Sequence, residues 1–376
     1  IKSSAASDVY KRQVYMKTIL KNKKLFVGLI MSALLLPACN DWTDPESLTL
    51  HTPSFEEQNP ELYEAYLKDL CNYKAGDHNV MFVSFNNPLT YPVNRSEHLT
   101  VLPDSIDFVS LNNPDQLSGD IQNEMVEIRR KGTRIVYTID YAGFEKDWTA
   151  IVKNSDGSLT EEDALQYLGE RTDEMLALCD RYNYDGVIVD YTGRSMVSLP
   201  EKELAEYNAR QKNFLDRIGA WIDSHKGKTL AFYGNAQYLF PEYMSILSKC
   251  DYIILKTLSS TGEGDLSVKA YMAVQAGKDA AAELGGSENL VPTDRFVACV
   301  ETPRPEDKEQ AFGYWDTETG GSKMLATYGA AKWVASPSVD FERKGLFVQN
   351  AHNDYFDNNP VYRNIRESIQ IMNPNN

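Results

Sequence analysis

The sequence predicts an α/β fold: a closed (β/α)8 TIM barrel. Three observations predict it. Eight short runs rich in β-branched and aromatic residues recur along the 376-residue chain, and longer stretches of helical period follow them. Most of these runs are nearly continuous in apolar residues, as parallel strands covered on both faces must be. Their C-terminal ends turn polar on most strands, which is where the loops of a barrel build a site. A doubly wound open sheet is the alternative topology for the same alternation.

In chain order, the first residues are set aside. "DVYKRQ" (8–13) looks like the translated end of a transposase adapter, so residues 1–15 read as an assembly artefact and Met16 as the start. Next, the basic "KTILKNKK" precedes an apolar run, 25–36, and "LPAC". Residues 16–38 resemble a bacterial lipoprotein signal with Cys39 as the lipidated residue; a plain secretory signal is the alternative. Asp41, Asp44 and Glu46 follow, similar to the surface-export signal of Bacteroidota lipoproteins. The resemblance implies a lipoprotein of the outer membrane, facing the cell surface and attached by lipid without spanning the bilayer. Residues 39–60 read as a polar tether and 61–376 as the barrel.

Within the barrel, a short helix is expected over 61–71. The strands are "VMFVSF" (80–85), "IDFVSL" (106–111), "RIVYTID" (134–140) and "GVIVDY" (186–191). "TLAFY" (229–233), "YIILKT" (252–257), "RFVACV" (295–300) and "GLFVQN" (345–350) complete the eight. Thr160 with Asp163, and Ser198 with Glu201, have the spacing of capping boxes. Leu204, Tyr207, Phe214, Leu215, Ile218, Trp221 and Ile222 mark one helical face, read as core.

Charge and cysteine usage narrow the function. The formal net charge is −16, and removing residues 1–38, with seven Lys/Arg and one Asp, leaves −22. Such a surface repels phosphate backbones, so no nucleic acid partner is expected. After Cys39 the cysteines are Cys71, Cys179, Cys250 and Cys299, far apart and without a CxxC, which reads as buried free thiols. No HExxH, P-loop or GxGxxG occurs, so neither a metal nor a cofactor is implied.

Site candidates come from the strand ends: Asn86, Asn112, Asp140, Asp190, Thr192, Tyr233, Asn235, Thr257, Glu301 and Asn350. The stretch "YDGVIVDYTG" (184–193) is the most informative. Alternation puts Ile188, Asp190 and Thr192 on one face, which in a barrel is the interior. Asp185, at the start of the strand, is expected to fix a turn. Here the chain resembles family 18 glycoside hydrolases, whose fourth strand carries D-G-x-D-x-D-x-E. Asp185, Gly186 and Asp190 match that motif; Ile188 stands in place of its middle Asp and Thr192 in place of its catalytic Glu. The resemblance runs over about 61–372 in strand order. The lipoprotein start and the ending "GLFVQNAHNDYF" are similar to family 18-like lipoproteins of Bacteroidota glycan-utilisation loci. Two further departures are a sixth strand without the family's Tyr-Asp pair and an eighth strand that no Trp closes.

The family implies substrate-assisted hydrolysis, an exception to the usual pair of carboxylates. The substrate's acetamido oxygen attacks, the Asp orients it, and the Glu protonates the leaving oxygen. Asp190 is placed to hold an acetamido N–H, but the Thr192 hydroxyl does not titrate near neutral pH. A positioned general acid contributes roughly 10²–10⁴-fold. The resemblance therefore implies a non-catalytic protein that binds N-acetylglucosamine-containing glycans or glycoproteins, N-glycans among them, for a glycan importer or partner hydrolase. Its ligand-binding candidates are Asp190, Asn86, Asp140, Tyr233, Asn235, Glu301 and Asn350. The alternative is an active endo-β-N-acetylglucosaminidase or chitinase-like enzyme in which Asp190 works with an acid relocated to Glu301 or Asp140. A structural component of an outer-membrane complex is a third reading.

Overall fold

Alternation sorts each strand's apolar residues onto two faces, and that sorting builds the fold of this computed structural model. It describes residues 54–304, 306, 312–317, 322–356 and 358–374. The adapter-like stretch, the signal-like segment with Cys39 and most of the tether lie outside the described residues. The chain divides into two units, 1–58 and 59–376. In the first, Ser54 and Glu57 exchange hydrogen bonds around a single helical turn, Phe55–Gln58.

The second unit is the barrel. Its strands are β1 (Val80–Phe85), β2 (Phe108–Leu111), β3 (Arg134–Asp140), β4 (Gly186–Tyr191), β5 (Thr229–Gly234), β6 (Tyr252–Leu255) and β7 (Phe296–Glu301). A small antiparallel pair, β8 (Tyr314–Asp316) and β9 (Lys323–Leu325), precedes the eighth barrel strand, β10 (Arg343–Gln349). The eight long strands close in the order β1-β10-β7-β6-β5-β4-β3-β2. Every neighbouring pair is parallel. Around them lie α1 (Pro60–Ala75), α2 (Gly119–Arg130), α3 (Tyr141–Lys153), α4 (Glu161–Arg181), α5 (Glu201–Ser224), α6 (Glu263–Glu283), α7 (Ala326–Ala335) and α8 (Arg363–Met372).

Outward residues such as Val187, Val189 and Leu230 pack with the helices in one large core. Inward residues form a second core: Val80, Phe82, Phe108, Val136, Ile188, Ala231, Ile254, Val297 and Phe347 among them. Phe82 and Phe108 stack at 4.1 Å between ring centres, and Tyr252 meets both edge-on. Offset and edge-on aromatic pairs contribute about 0.5–1.5 kcal/mol beyond their burial. The barrel therefore has a solid apolar floor, and only residues above it can meet a ligand.

Several expected boundaries shift for local reasons. The second strand begins at Phe108 because the two residues before it anchor other elements. The Ile106 carbonyl accepts from Lys74 and Thr133, and the Asp107 carboxylate takes the Met81 N–H and pairs with His78. The sixth strand ends at Leu255, since the Thr257 hydroxyl replaces the ladder by bonding the Cys299 carbonyl and N–H. The Thr160–Asp163 capping box is present. The Ser198–Glu201 box is not: α5 starts at Glu201 with Pro200 at its N-cap, so Glu201 is the first helical residue and not the third. Asp185 receives two bonds from Arg129 Nε, at 2.9 and 3.2 Å, and the Ile135 N–H at 2.8 Å, so it fixes the start of its strand. Below the barrel, Asn373 exchanges bonds of 2.9 Å with the Asn79 backbone and joins the segment before β1 to the end of α8. Cys179, Cys250 and Cys299 are buried free thiols and Cys71 is a half-buried one.

Candidate functional site

Two residues above each floor residue, the same inward face reaches the mouth. Counting from the inner core gives Ser84, Ser110, Thr138, Asp190, Tyr233, Lys256, Cys299 and Gln349, with Asp140 beyond Thr138 and Glu301 beyond Cys299. Strand register sets Asp140 beside Asp190, and Asp190 beside Tyr233. Three of the expected site residues therefore sit on adjacent strands.

Lys256 dominates the geometry, and the sequence reading did not single it out. Its Nζ lies 2.6 Å from Asp190 Oδ1 and 2.8 Å from Oδ2. The same ammonium stands 3.6 Å above the Tyr233 ring. Both partners of the ion pair are largely enclosed, at 19% and 17% side-chain exposure, so solvent screens this pair less than a surface one. Tyr233 is itself buried, and its phenol oxygen accepts from Cys299 Sγ and Gln349 Nε2, each at 3.4 Å. The sequence signal for Lys256 was available: it lies two residues past inward-facing Ile254, inside the run read as strand.

The degenerate positions lie where expected on their strand. Ile188 is wholly buried in the floor. Thr192 is exposed; its hydroxyl donates to Asp190 at 3.4 Å, and its carbonyl accepts from Asn235 Nδ2 at 2.9 Å. Asp140 is exposed and accepts the Gly143 N–H at 3.0 Å, which caps α3. Glu301 is buried and accepts from Asn350 Nδ2 at 3.0 Å. Asn350 has a left-handed backbone, φ 54°, and its N–H bonds the Ser84 hydroxyl at 2.9 Å.

Other strand-end candidates serve the scaffold. Thr257 faces the wall, as described above. Asn86 is exposed beyond β1, while its buried neighbour Asn87 exchanges three bonds with Asn113 and ties two loops together. The Asn112 N–H bonds the Phe85 carbonyl at 3.0 Å.

Burial sets the electrostatics. It raises the Asp190 carboxyl above the usual range; Lys256 opposes that rise and the charge of Asp140 adds to it. Burial pushes the Cys299 thiol up to about 12 and the Tyr233 phenol beyond the range of ordinary titration, so both stay neutral. Position 192 offers no proton donor of carboxylic strength, and Asp190 already has a cationic partner. Among the described residues no group of three or more His, Cys, Asp or Glu is placed to hold a metal ion.

Comparison with known proteins gives one family. The family model described as glycoside hydrolase family 18, BT1044-like, matches residues 43–371. Among solved structures, a BT1044 variant is 17% identical with a TM-score of 0.58, covering 85% of this chain and 96% of that one. The apo endo-beta-N-acetylglucosaminidase of Cordyceps militaris is 16% identical with a TM-score of 0.53, covering 82% and 96%. A mutant of that fungal enzyme, in complex with fucosyl-N-acetylglucosamine-Asn, is 15% identical with a TM-score of 0.51, covering 82% and 95%. At these identities the likeness is one of fold. No curated protein matches the chain.

Proposed function

The chain belongs to glycoside hydrolase family 18, BT1044-like, and from that premise we propose that it is a surface-anchored, non-catalytic glycan-binding protein. Its ligands are N-acetylglucosamine-containing glycans, N-glycans among them, held at the barrel mouth. One observation carries the reading: the strand face that bears the family's acids here bears a buried Ile188 and an exposed Thr192. Neither side chain can give a proton to a leaving sugar oxygen, and a positioned acid is worth roughly 10²–10⁴-fold. The ligand class is supported by the fungal relative solved with fucosyl-N-acetylglucosamine-Asn. Mouth polar groups at Asp140, Asn235, Glu301 and Asn350, with Asn86 outside them, suit a hydroxyl-rich ligand. Lipid attachment at Cys39 would hold the barrel at the outer face of the outer membrane, where a glycan importer or partner hydrolase could receive the ligand.

The test pairs a glycan array with a cleavage assay on a chitobiose-core glycopeptide read by mass spectrometry. Binding without cleavage is the expected result. Glu301 favours one second reading, because it is a buried carboxylate at the mouth end of β7. Clear turnover that vanishes with Glu301→Gln would establish a hydrolase with a relocated acid and overturn the non-catalytic reading.

A further inference from the structure

In a mouth built to read an N-acetyl group, a carboxylate is free to accept the amide N–H. Here both oxygens of Asp190 already accept from Lys256, at 2.6 and 2.8 Å. The lysine is not a loose surface chain. It leaves the end of β6, rests on the Tyr233 ring at 3.6 Å and is mostly enclosed. The Tyr233 phenol oxygen in turn accepts from Cys299 and from Gln349.

Amide geometry decides what such a pair can do. A trans amide points its N–H and its C=O in opposite directions. A donor and an acceptor only 2.6 Å apart cannot engage both ends of one acetamido group. An incoming N–H must instead compete with an ammonium, and charge-assisted bonds are roughly twice as strong as neutral ones.

We propose that Lys256 is an internal stand-in for the ligand's acetamido N–H: it occupies Asp190 and thereby sets both the affinity and the specificity of the mouth. This rests on the glycan-binding reading above. In the wild-type protein the glycan is held by the other mouth groups, and the N-acetyl group is read weakly. Displacing Lys256 converts Asp190 into an acetamido acceptor.

Calorimetric titration of the soluble protein with chitotetraose and with cellotetraose, its neutral 2-hydroxyl counterpart, tests the idea. Lys256→Met should bind chitotetraose about ten-fold or more tightly than wild type, the worth of a bond to a charged group. The gain should be smaller for cellotetraose, which carries a neutral hydroxyl in place of each acetamido group, and lost in Lys256→Met/Asp190→Asn. Should the unpaired Asp190 prevent Lys256→Met from folding, Lys256→Gln keeps a neutral donor and should give a smaller gain of the same sign. Weaker chitotetraose binding by folded Lys256 variants would overturn the proposal and make Lys256 a direct ligand contact. Unchanged binding would overturn it too, leaving the glycan-binding reading intact. If neither wild type nor variant binds any N-acetylated glycan, both readings fall.

Discussion

Asp354 shows how much a single buried carboxylate can govern. It is fully buried and accepts the Ile365 N–H at 2.9 Å, the Asn364 N–H at 3.3 Å and Asn358 Nδ2 at 2.8 Å. Burial nevertheless outweighs these bonds and raises its carboxyl from 3.8 to about 6. The fold therefore favours the protonated form. Its contribution to stability is whole below the unfolded value and is lost as pH rises through the folded one, a window of about pH 4 to 6. A shift of this size is on the order of 3 kcal/mol. Urea unfolding at pH 4 and pH 7 should show wild type losing stability across that window, and Asp354→Asn losing less by a measurable part of that amount. Equal losses in the two proteins would refute the assignment. Asp190 differs from Asp354 in being bonded directly to a cation, Lys256, which opposes its own rise. Its identity as a site residue was legible in the strand pattern. Its partner was not, because Lys256 is 66 residues away and meets it only across the barrel.

At the scale of elements, the glycine at position 186 has a steric reason. A Cβ placed there would lie 2.1 Å from the Thr229 carbonyl oxygen and 2.7 Å from the Thr229 nitrogen, both backbone atoms of the paired strand. Neither can move without opening the β4–β5 ladder. Gly186→Ala should destabilise by at least the 1–3 kcal/mol that is typical of about one misplaced methyl group in a packed core. Gly119, at the start of α2, has nothing within 4 Å of its Cβ position. Gly119→Ala should be neutral or stabilising by about 0.4–1 kcal/mol. Thermal melts of the pair decide it, and similar melting temperatures would count against the close-approach argument. The strands themselves were legible because each is a local apolar run. The β8–β9 hairpin was not anticipated: strands of three residues are too short to show a period.

For the whole molecule, the proposed anchoring would determine which glycans reach the barrel. With "LPAC" before acidic residues, Cys39 should carry the lipid. Metabolic labelling with a fatty-acid analogue should mark the wild-type protein and fail with Cys39→Ala. Protease added to intact cells should release the barrel; complete protection would put it inside the outer membrane and remove the capture role proposed here.

The sequence alone determined the eight strands in chain order and the residues Ile188 and Thr192 on one face of the fourth, because these are written in contiguous residues with a fixed period; closure into a barrel it left against an open sheet. It also placed Asp140, Asp190 and Tyr233 at strand ends. Only the tertiary structure decided what those side chains face. Ring closure aligns β4, β5 and β6 so that Asp190, Tyr233 and Lys256 meet. It likewise turns Thr257 into the wall, brings Asn350 to Glu301, and joins Asn79 to Asn373 across 294 residues. Pairings of that kind depend on register and on the inward count from each strand end. Both are properties of neighbouring strands together, and no single segment carries them.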